Sequence, residues 1–358
     1  MGRETPEKPW FLYLAFNAPH FPLHAWPEDI EKYKDRYHAG WDVIREDRLK
    51  RMKKLGVIAK DSQLSKRSLY WDWGENVPRR NPAWDSLPRD RRGDLARRMA
   101  IYAAMVDQMD RNIGRVIDDL KTNGEFENTL VVFISDNGAC YEWDPFGFDV
   151  WSSRNNKLHW GDQLELMGNA ESYHSIGSGW SNASNTPFRL YKHYSHEGGI
   201  SMPAIVHWPG GKLPKGKVLD TPAHIIDLVP TMLEAANAEY PQQWQENSTM
   251  KLPGLSLVDL WRTGKPDDVM HKRALFFEHQ GSRAVREGNW KLVATRGQPW
   301  ELYHVSQDRI ESRDLVKRHP LLARTLAAKW DRWAEANQVT PLPRNLGADY
   351  LPPLPSDE

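Results

Sequence analysis

A single cysteine, Cys140, stands in 358 residues. That excludes an internal disulfide and any cysteine-rich metal site, and it leaves the compartment open. No run approaches the roughly 18 apolar residues of a membrane span. The residues from Met1 to Pro9 lack the apolar segment of a signal peptide, and Met1-Gly2 followed by Thr5 misses the myristoylation spacing. An excess of one charge is missing too: 48 basic residues face 48 acidic ones, so nothing advertises a nucleic-acid or membrane partner. There is no internal repeat. The chain as given is expected to be soluble. Its 40% hydrophobic content supports a globular core, and its length suits one large α/β domain with an appendage, or two domains.

The most informative stretch runs from Leu130 to Gly138. Its apolar residues predict a fully buried strand, and Ser135-Asp136-Asn137-Gly138 marks where that strand ends. In an open α/β sheet, ligands bind outside the carboxyl ends of the strands. A carboxylate and an amide oxygen side by side at such an edge are hard donors suited to Ca²⁺ or Mg²⁺. An Asx-turn closed by Gly138 is the alternative.

Other elements follow from pattern. Trp10 to Phe16 predicts a short buried strand, and the prolines of Ala18-Pro-His-Phe-Pro22 place His20 on the loop beyond it. Residues 27–92, rich in Lys, Arg, Trp and Pro, suggest a long surface insertion that borders or covers a site. Leu95, Met99, Tyr102, Val106, Met109, Ile113, Val116 and Leu120 form one face of a long helix stopped by Asn123-Gly124. With the strand after it, that helix makes an αβ unit of a doubly wound sheet. Residues 139–187 suggest loop, and 204–208 a strand. A helix over 223–236 should kink or restart at Pro230. Beyond Pro253-Gly254, four short strands predict an antiparallel meander. A helix over 320–336 and a Pro-rich tail follow.

Four stretches in order carry a resemblance: Ala18-Pro-His-Phe-Pro22; Ile134-Ser-Asp-Asn-Gly138; Lys192-His-Tyr-Ser-His-Glu-Gly-Gly199 leading into Pro203 to Gly210; and Trp290-Lys291 with Trp300-Glu-Leu-Tyr303. Together they resemble the catalytic half of a formylglycine-dependent sulfatase of the alkaline-phosphatase-like superfamily. The resemblance implies a mixed α/β sheet flanked by helices over residues 1–253, a smaller C-terminal α+β subdomain over 254–340, and a tail over 341–358. It implies that Asp136 and Asn137 ligate a divalent cation, Ca²⁺ before Mg²⁺. Lys192 would contact the sulfate, and His20 would hydrogen-bond it or protonate the leaving oxygen. His196, beside Glu197, is a further candidate for substrate contact.

The implied substrate is a sulfate ester of a small molecule or a glycan. The rivals are a phosphonate or phosphate monoester hydrolase on the same scaffold and a non-catalytic binder of sulfated glycans. For the full-length protein the resemblance suggests a periplasmic or secreted location; oligomeric state is left open. The family's nucleophile is a formylglycine made in a Cys/Ser-x-Pro/Ala-x-Arg motif that lies N-terminal to all of these stretches. Cys140-Tyr-Glu-Trp-Asp144 lacks the Pro and the Arg and follows the metal motif, and Ser86-Leu-Pro-Arg89 has its Arg one residue early. The chain is therefore expected to be the C-terminal portion of such an enzyme and inactive alone. Gly198-Gly199 is expected to allow close chain approach rather than to cradle a phosphate. The sequons at Asn182 and Asn247 are expected to be coincidences.

Overall fold

A computed structural model describes residues 8–72, 77–151, 153 and 155–339. The principal core forms around α3 (Arg89–Thr122), whose apolar spacing of four and three turns Leu95, Ala96, Met99, Ala100, Ile101, Ala104 and Met105 inward. Asn123 caps this helix and Gly124, at φ +70°, ends it, where only glycine is unstrained. Three tryptophans pack opposite: Trp41 meets Trp84 and Trp180 edge-on, with ring centroids 4.9 and 5.7 Å apart. Trp41 lies on α2 (Gly40–Leu55), and Ile30 reaches the same core from α1 (Pro27–Glu31). Trp180 belongs to α4 (Gly177–Ser184).

All four sheets among the described residues are antiparallel. β1 (Leu69–Asp72) pairs with β2 (Val77–Arg80), and β3 (Val131–Ile134) with β4 (Ala204–His207). β5 (Gln243–Trp244) and β6 (Asn247–Ser248) form a small ladder. One-turn α5 (Glu197–Ile200) lies before β4, and α6 (Leu228–Ala235), α7 (Val258–Thr263) and α8 (Asp268–Lys272) lead to the last sheet. There β7 (Ala274–His279), β8 (Ser282–Glu287), β9 (Trp290–Ala294) and β10 (Glu301–His304) pair in chain order as the expected meander. α9 (Pro320–Ala336) covers it, placing Ala323 and Leu326 on Val285, Leu292 and Leu302. No helix among the described residues is long and apolar enough to cross a membrane.

Several expectations need correction. Residues 11–16 form no strand among the described residues, and Phe11 and Tyr13 are 72% and 81% exposed. β3 is half-buried rather than buried, because β4 is its one ladder neighbour here and Ile134 faces outward. The helix-then-strand unit is there as α3 and β3, but the ladder neighbour of β3 among the described residues, β4, pairs with it antiparallel. Residues 27–92 are no coreless insertion: Ile30, Tyr37, Trp41, Trp84 and Leu87 are buried in the main core. Their signal was masked because the exposed faces of α1 and α2 are densely charged. The segment 139–187 carries α4, and Pro230 sits in the first turn of α6, which restarts after a 3₁₀ turn over Ile225–Asp227. The tail after residue 339 lies outside the described residues.

Candidate active site

The turn after β3 and the loop before α5 are pressed together, backbone to backbone. Gly138 N–H donates to Gly199 O at 3.0 Å, and Lys192 N–H donates to Ala139 O at 3.2 Å. A Cβ built on Gly138 would stand 1.9 Å from Gly198 O, and one on Gly199 1.9 Å from Tyr194 O. Gly198 and Gly199 are there for close approach, as their sequence suggested, although they lie within the one-turn α5. The amide of Asn185 closes the junction by accepting from Ala139 N–H at 3.0 Å and donating to Leu190 O at 3.0 Å.

This junction ties the Lys192 backbone to Ala139, two residues beyond the Asp136-Asn137 turn, and the Lys192 side chain reaches the His20 loop. Lys192 Nζ donates to His20 Nε2 at 3.1 Å across 172 residues of sequence. The opposite nitrogen, Nδ1, donates to Phe21 O at 2.9 Å, so both ring nitrogens of His20 are engaged. The His20 loop is itself anchored: Leu23 N–H donates to His174 O at 3.0 Å, and His24 Nε2 donates to Ser172 O at 2.7 Å.

Asp136 is exposed, and its Oδ1 accepts from Asn137 N–H at 2.9 Å. Asn137 Nδ2 donates to Gly138 O at 3.0 Å. One carboxylate oxygen and the Asn137 amide oxygen are thereby left without a protein partner among the described residues. Two hard oxygens at a strand end fit Ca²⁺ or Mg²⁺, as two of the six to eight ligands Ca²⁺ takes.

His196 is fully buried at the N-terminus of α5, with Nε2 on Glu301 Oε2 at 3.2 Å. Glu301 also accepts from Arg189 at 2.8 Å and from Tyr303 Oη at 2.6 Å; these charges and hydrogen bonds outweigh burial and hold its carboxyl well below the usual range. Next to His196, the buried Glu197 pairs with Lys291 Nζ at 2.9 Å and with Arg309 Nη2 at 3.0 Å. Glu311 completes this knot by pairing with Lys291 at 2.9 Å and accepting from Glu197 N–H at 2.9 Å. The Trp290-Lys291 and Trp300-Glu301 signatures thus act as struts from the meander to the Lys192 loop. Sequence showed the signatures but not this use of them.

Two further clusters escaped sequence reasoning. Glu142, His193 and His279 form a hydrogen-bonded row next to Lys192, with His193 Nε2 on Glu142 Oε1 at 2.8 Å and His193 Nδ1 on His279 Nε2 at 3.0 Å. Cys140 Sγ donates to the other Glu142 oxygen. Burial and that carboxylate push the thiol up, which keeps Cys140 a neutral donor and a poor nucleophile. Behind the His20 loop, Asp149, His159 and His174 offer donor atoms within 4.8 Å of one another. Arg98 Nη2 lies 2.7 Å from Asp149 Oδ1, a fixed positive charge where a cation would have to sit. We read that cluster as an internal ion pair that supports the His20 loop. Asn182, within the first sequon, is 1% exposed and donates to Ser68 Oγ at 3.0 Å, which suits structure rather than glycosylation.

The family model described as Sulfatase matches residues 2–238, and that of the N-sulphoglucosamine sulphohydrolase C-terminal region matches residues 188–332. The two overlap across the Lys192 loop. The chain is 36% identical over 359 residues to an uncharacterised sulfatase of Schizosaccharomyces pombe, covering 96% of this chain and 60% of that protein. It is 32% identical over 263 residues to an arylsulfatase of Klebsiella aerogenes, covering 71% of this chain and 52% of that one. Among solved structures, that of Ps i-CgsB is similar in fold, with a TM-score of 0.56 and 24% identity over 92% of this chain and 51% of its own. The chain therefore spans between half and three-fifths of the length of these relatives.

Proposed function

This chain belongs to the sulfatase family, with its alkaline-phosphatase-like α/β fold, and from that premise we propose that the whole protein hydrolyses sulfate monoesters at the junction of the His20, Asp136 and Lys192 loops. The observation that carries the proposal is the 3.1 Å approach of Lys192 Nζ to His20 Nε2, with the Lys192 amide tied to Ala139 just past the Asp136-Asn137 turn. Sulfate-ester cleavage gathers negative charge on the sulfuryl oxygens and on the departing oxygen. An ammonium and an imidazole converging on one point answer the first need. A sulfate entering between them takes the Lys192 proton donor that His20 now accepts, and His20 Nε2, once protonated, becomes a second donor to it.

Asp136 and Asn137 would supply oxygen ligands to a divalent cation, Ca²⁺ in preference to Mg²⁺, because two flexible oxygen donors at an open turn suit the larger ion. Bound there, the cation adds Lewis-acid charge against the sulfuryl oxygens. The formylglycine nucleophile has no precursor motif in these residues, and Cys140 is a buried, hydrogen-bonded thiol. The substrate class proposed is a sulfated small molecule or sugar, and the proposed location of the whole protein is periplasmic or secreted.

The test is turnover of 4-nitrophenyl sulfate by the whole protein, set against phenylphosphonate esters and 4-nitrophenyl phosphate, with and without a chelator. Preference for the sulfate, lost on chelation and restored by Ca²⁺, is expected. Preference for a phosphonate or phosphate, or binding of sulfated sugars without turnover, overturns the proposal.

A further inference from the structure

An aromatic row begins at His20 and leads away from it across the surface. The His20 ring lies 4.1 Å from that of Phe21, Phe21 lies 6.3 Å from Tyr173, and Tyr173 lies 5.5 Å from Trp151, centroid to centroid. Phe148, fully buried, backs the row: it meets Phe21 edge-on at 4.8 Å and stacks on Tyr173 at 6.1 Å. Phe21 and Tyr173 are half-buried, and Trp151 at the far end is 78% exposed.

Polar bonds beneath the rings hold them in place. Leu23 N–H donates to His174 O at 3.0 Å, which sets Tyr173 beside Phe21. His174 Nδ1 donates to Asp149 Oδ1 at 2.6 Å, which sets Tyr173 beside the turn that carries Trp151, and Arg98 Nη2 grips the same carboxylate oxygen at 2.7 Å. The buried Asp149 cluster thus fixes three ring-bearing segments that are far apart in sequence. A single exposed aromatic is ordinary, but three rings fixed against one another at the edge of a site form a preorganised surface.

The chemistry of that surface indicates its occupant. Each ring offers an apolar face, and Tyr173 Oη and Trp151 Nε1 have no protein partner among the described residues, so hydrogen-bonding groups stand at the edges of the faces. A pyranose has the same two-sided character, with C–H bonds on its faces and hydroxyls around its rim. A wholly apolar leaving group would need an enclosed pocket that buries most of its surface, and a ring as exposed as Trp151 encloses nothing. The row advances ring by ring, which suits a chain of sugars rather than one.

We propose that Phe21, Tyr173 and Trp151 form a binding subsite for sugar rings beyond the sulfated one, and that the substrate is a sulfated oligosaccharide. The inference rests on the sulfatase reading above. The sulfate end lies between Lys192 and His20, and the following rings lie along the row, with Trp151 against the most distant one. Contacts this far from the reacting sulfur are equal in the bound substrate and the transition state, so they act on KM rather than on kcat.

The test compares substrates of different length in the whole protein: sulfated tetrasaccharides of carrageenan, chondroitin sulfate and heparan sulfate, each beside its sulfated monosaccharide, and 4-nitrophenyl sulfate. A tetrasaccharide that is turned over should exceed its monosaccharide in kcat/KM by on the order of tenfold or more. Trp151→Ala should lower kcat/KM for that tetrasaccharide by on the order of 10–100-fold, mostly through KM, and Trp151→Phe should recover most of the loss. The loss on 4-nitrophenyl sulfate should be at least about tenfold smaller, because its single ring ends near His20. No gain with length, a gain that Trp151→Ala leaves intact, or equal losses on long and short esters overturns the subsite. Turnover of 4-nitrophenyl sulfate with every saccharide refused overturns the oligosaccharide assignment and leaves the sulfatase reading standing. No turnover of any of these esters overturns the sulfatase reading, and the subsite falls with it.

Discussion

Replacing Lys291 by Met should unfold the strut between the meander and the Lys192 loop. Lys291 is fully buried, 2.9 Å from Glu197 Oε1 and 2.9 Å from Glu311 Oε1. Methionine fills nearly the same volume, so the packing loss is small and the electrostatic loss dominates. Glu197 keeps Arg309 at 3.0 Å, but Glu311 keeps no cation within ion-pair distance among the described residues. Breaking a buried pair by removing one partner costs about 3–5 kcal/mol, mostly as the penalty of the charge left behind. For a chain of this length that corresponds to a fall in Tm of roughly 4–7 °C. Lys291→Met with Glu311→Gln should recover about half of the loss, since the second change removes the stranded carboxylate. Calorimetry on the four members of the cycle measures both numbers, and amide exchange of residues 189–200 should rise in the single variant. A loss below about 1 kcal/mol, or no coupling between the two sites, would refute the reasoning.

Acid should destabilise the His20 side of the molecule. Burial by itself raises the Asp149 carboxyl, but the His174 hydrogen bond and Arg98 bring it down to about 2 from an unfolded value of 3.8. Asp94, beside Arg98 and His159, is likewise lowered. A depressed carboxyl stabilises above its unfolded pKa and loses that stability as pH falls through its folded one, so the carboxylates should add a drop in Tm between about pH 4 and 2 to the shallower decline that begins below about pH 6.5, where the unfolded chain protonates His174, whose pKa burial lowers in the fold. Asp149 alone accounts for about 2 kcal/mol of that drop, and Asp149→Asn should flatten it. Gly138→Ala should cost about 1–3 kcal/mol and weaken any anion binding at Lys192, because the new methyl group meets Gly198 O; unchanged stability would contradict the close approach. The 358 residues by themselves should not turn over sulfate esters at any calcium concentration, because Asp136 and Asn137 offer too few ligands and Cys140 is no free nucleophile.

What could be read in advance depended on whether the signal was local. The meander, α9 and α3 were legible because period-two or period-3.6 patterns ended in Gly, Pro or Asn-Gly punctuation. The strand expected at residues 10–16 was an apolar run whose ladder partner no local pattern can reveal, and the same holds for the half-buried β3. Trp41 and Trp84 in the core were hidden among charged neighbours, since binary pattern weighs the many Lys and Arg of α2 above one large ring. Within the site, the Asp136-Asn137 turn, Lys192 and His20 were visible as motifs, and the meeting of Lys192 with His20 is a property of tertiary structure. The full burial of His196 was not legible, because adjacency to Glu197 says nothing of burial. His193 and His279 left no local trace: 86 residues separate them, and their meeting depends on how the β7–β8 turn docks.

The most direct measurement is turnover of 4-nitrophenyl sulfate by the whole protein with Lys192 intact and with Lys192→Ala, each shown folded by its unfolding transition. Removing one oriented donor to the sulfuryl oxygens should lower kcat/KM by on the order of 10²–10³ with little change in stability, because the Lys192 side chain is only partly buried. Near-wild-type turnover by a folded Lys192→Ala protein would mean that the sulfate is held elsewhere, and that the meeting of His20 and Lys192 is not the active site.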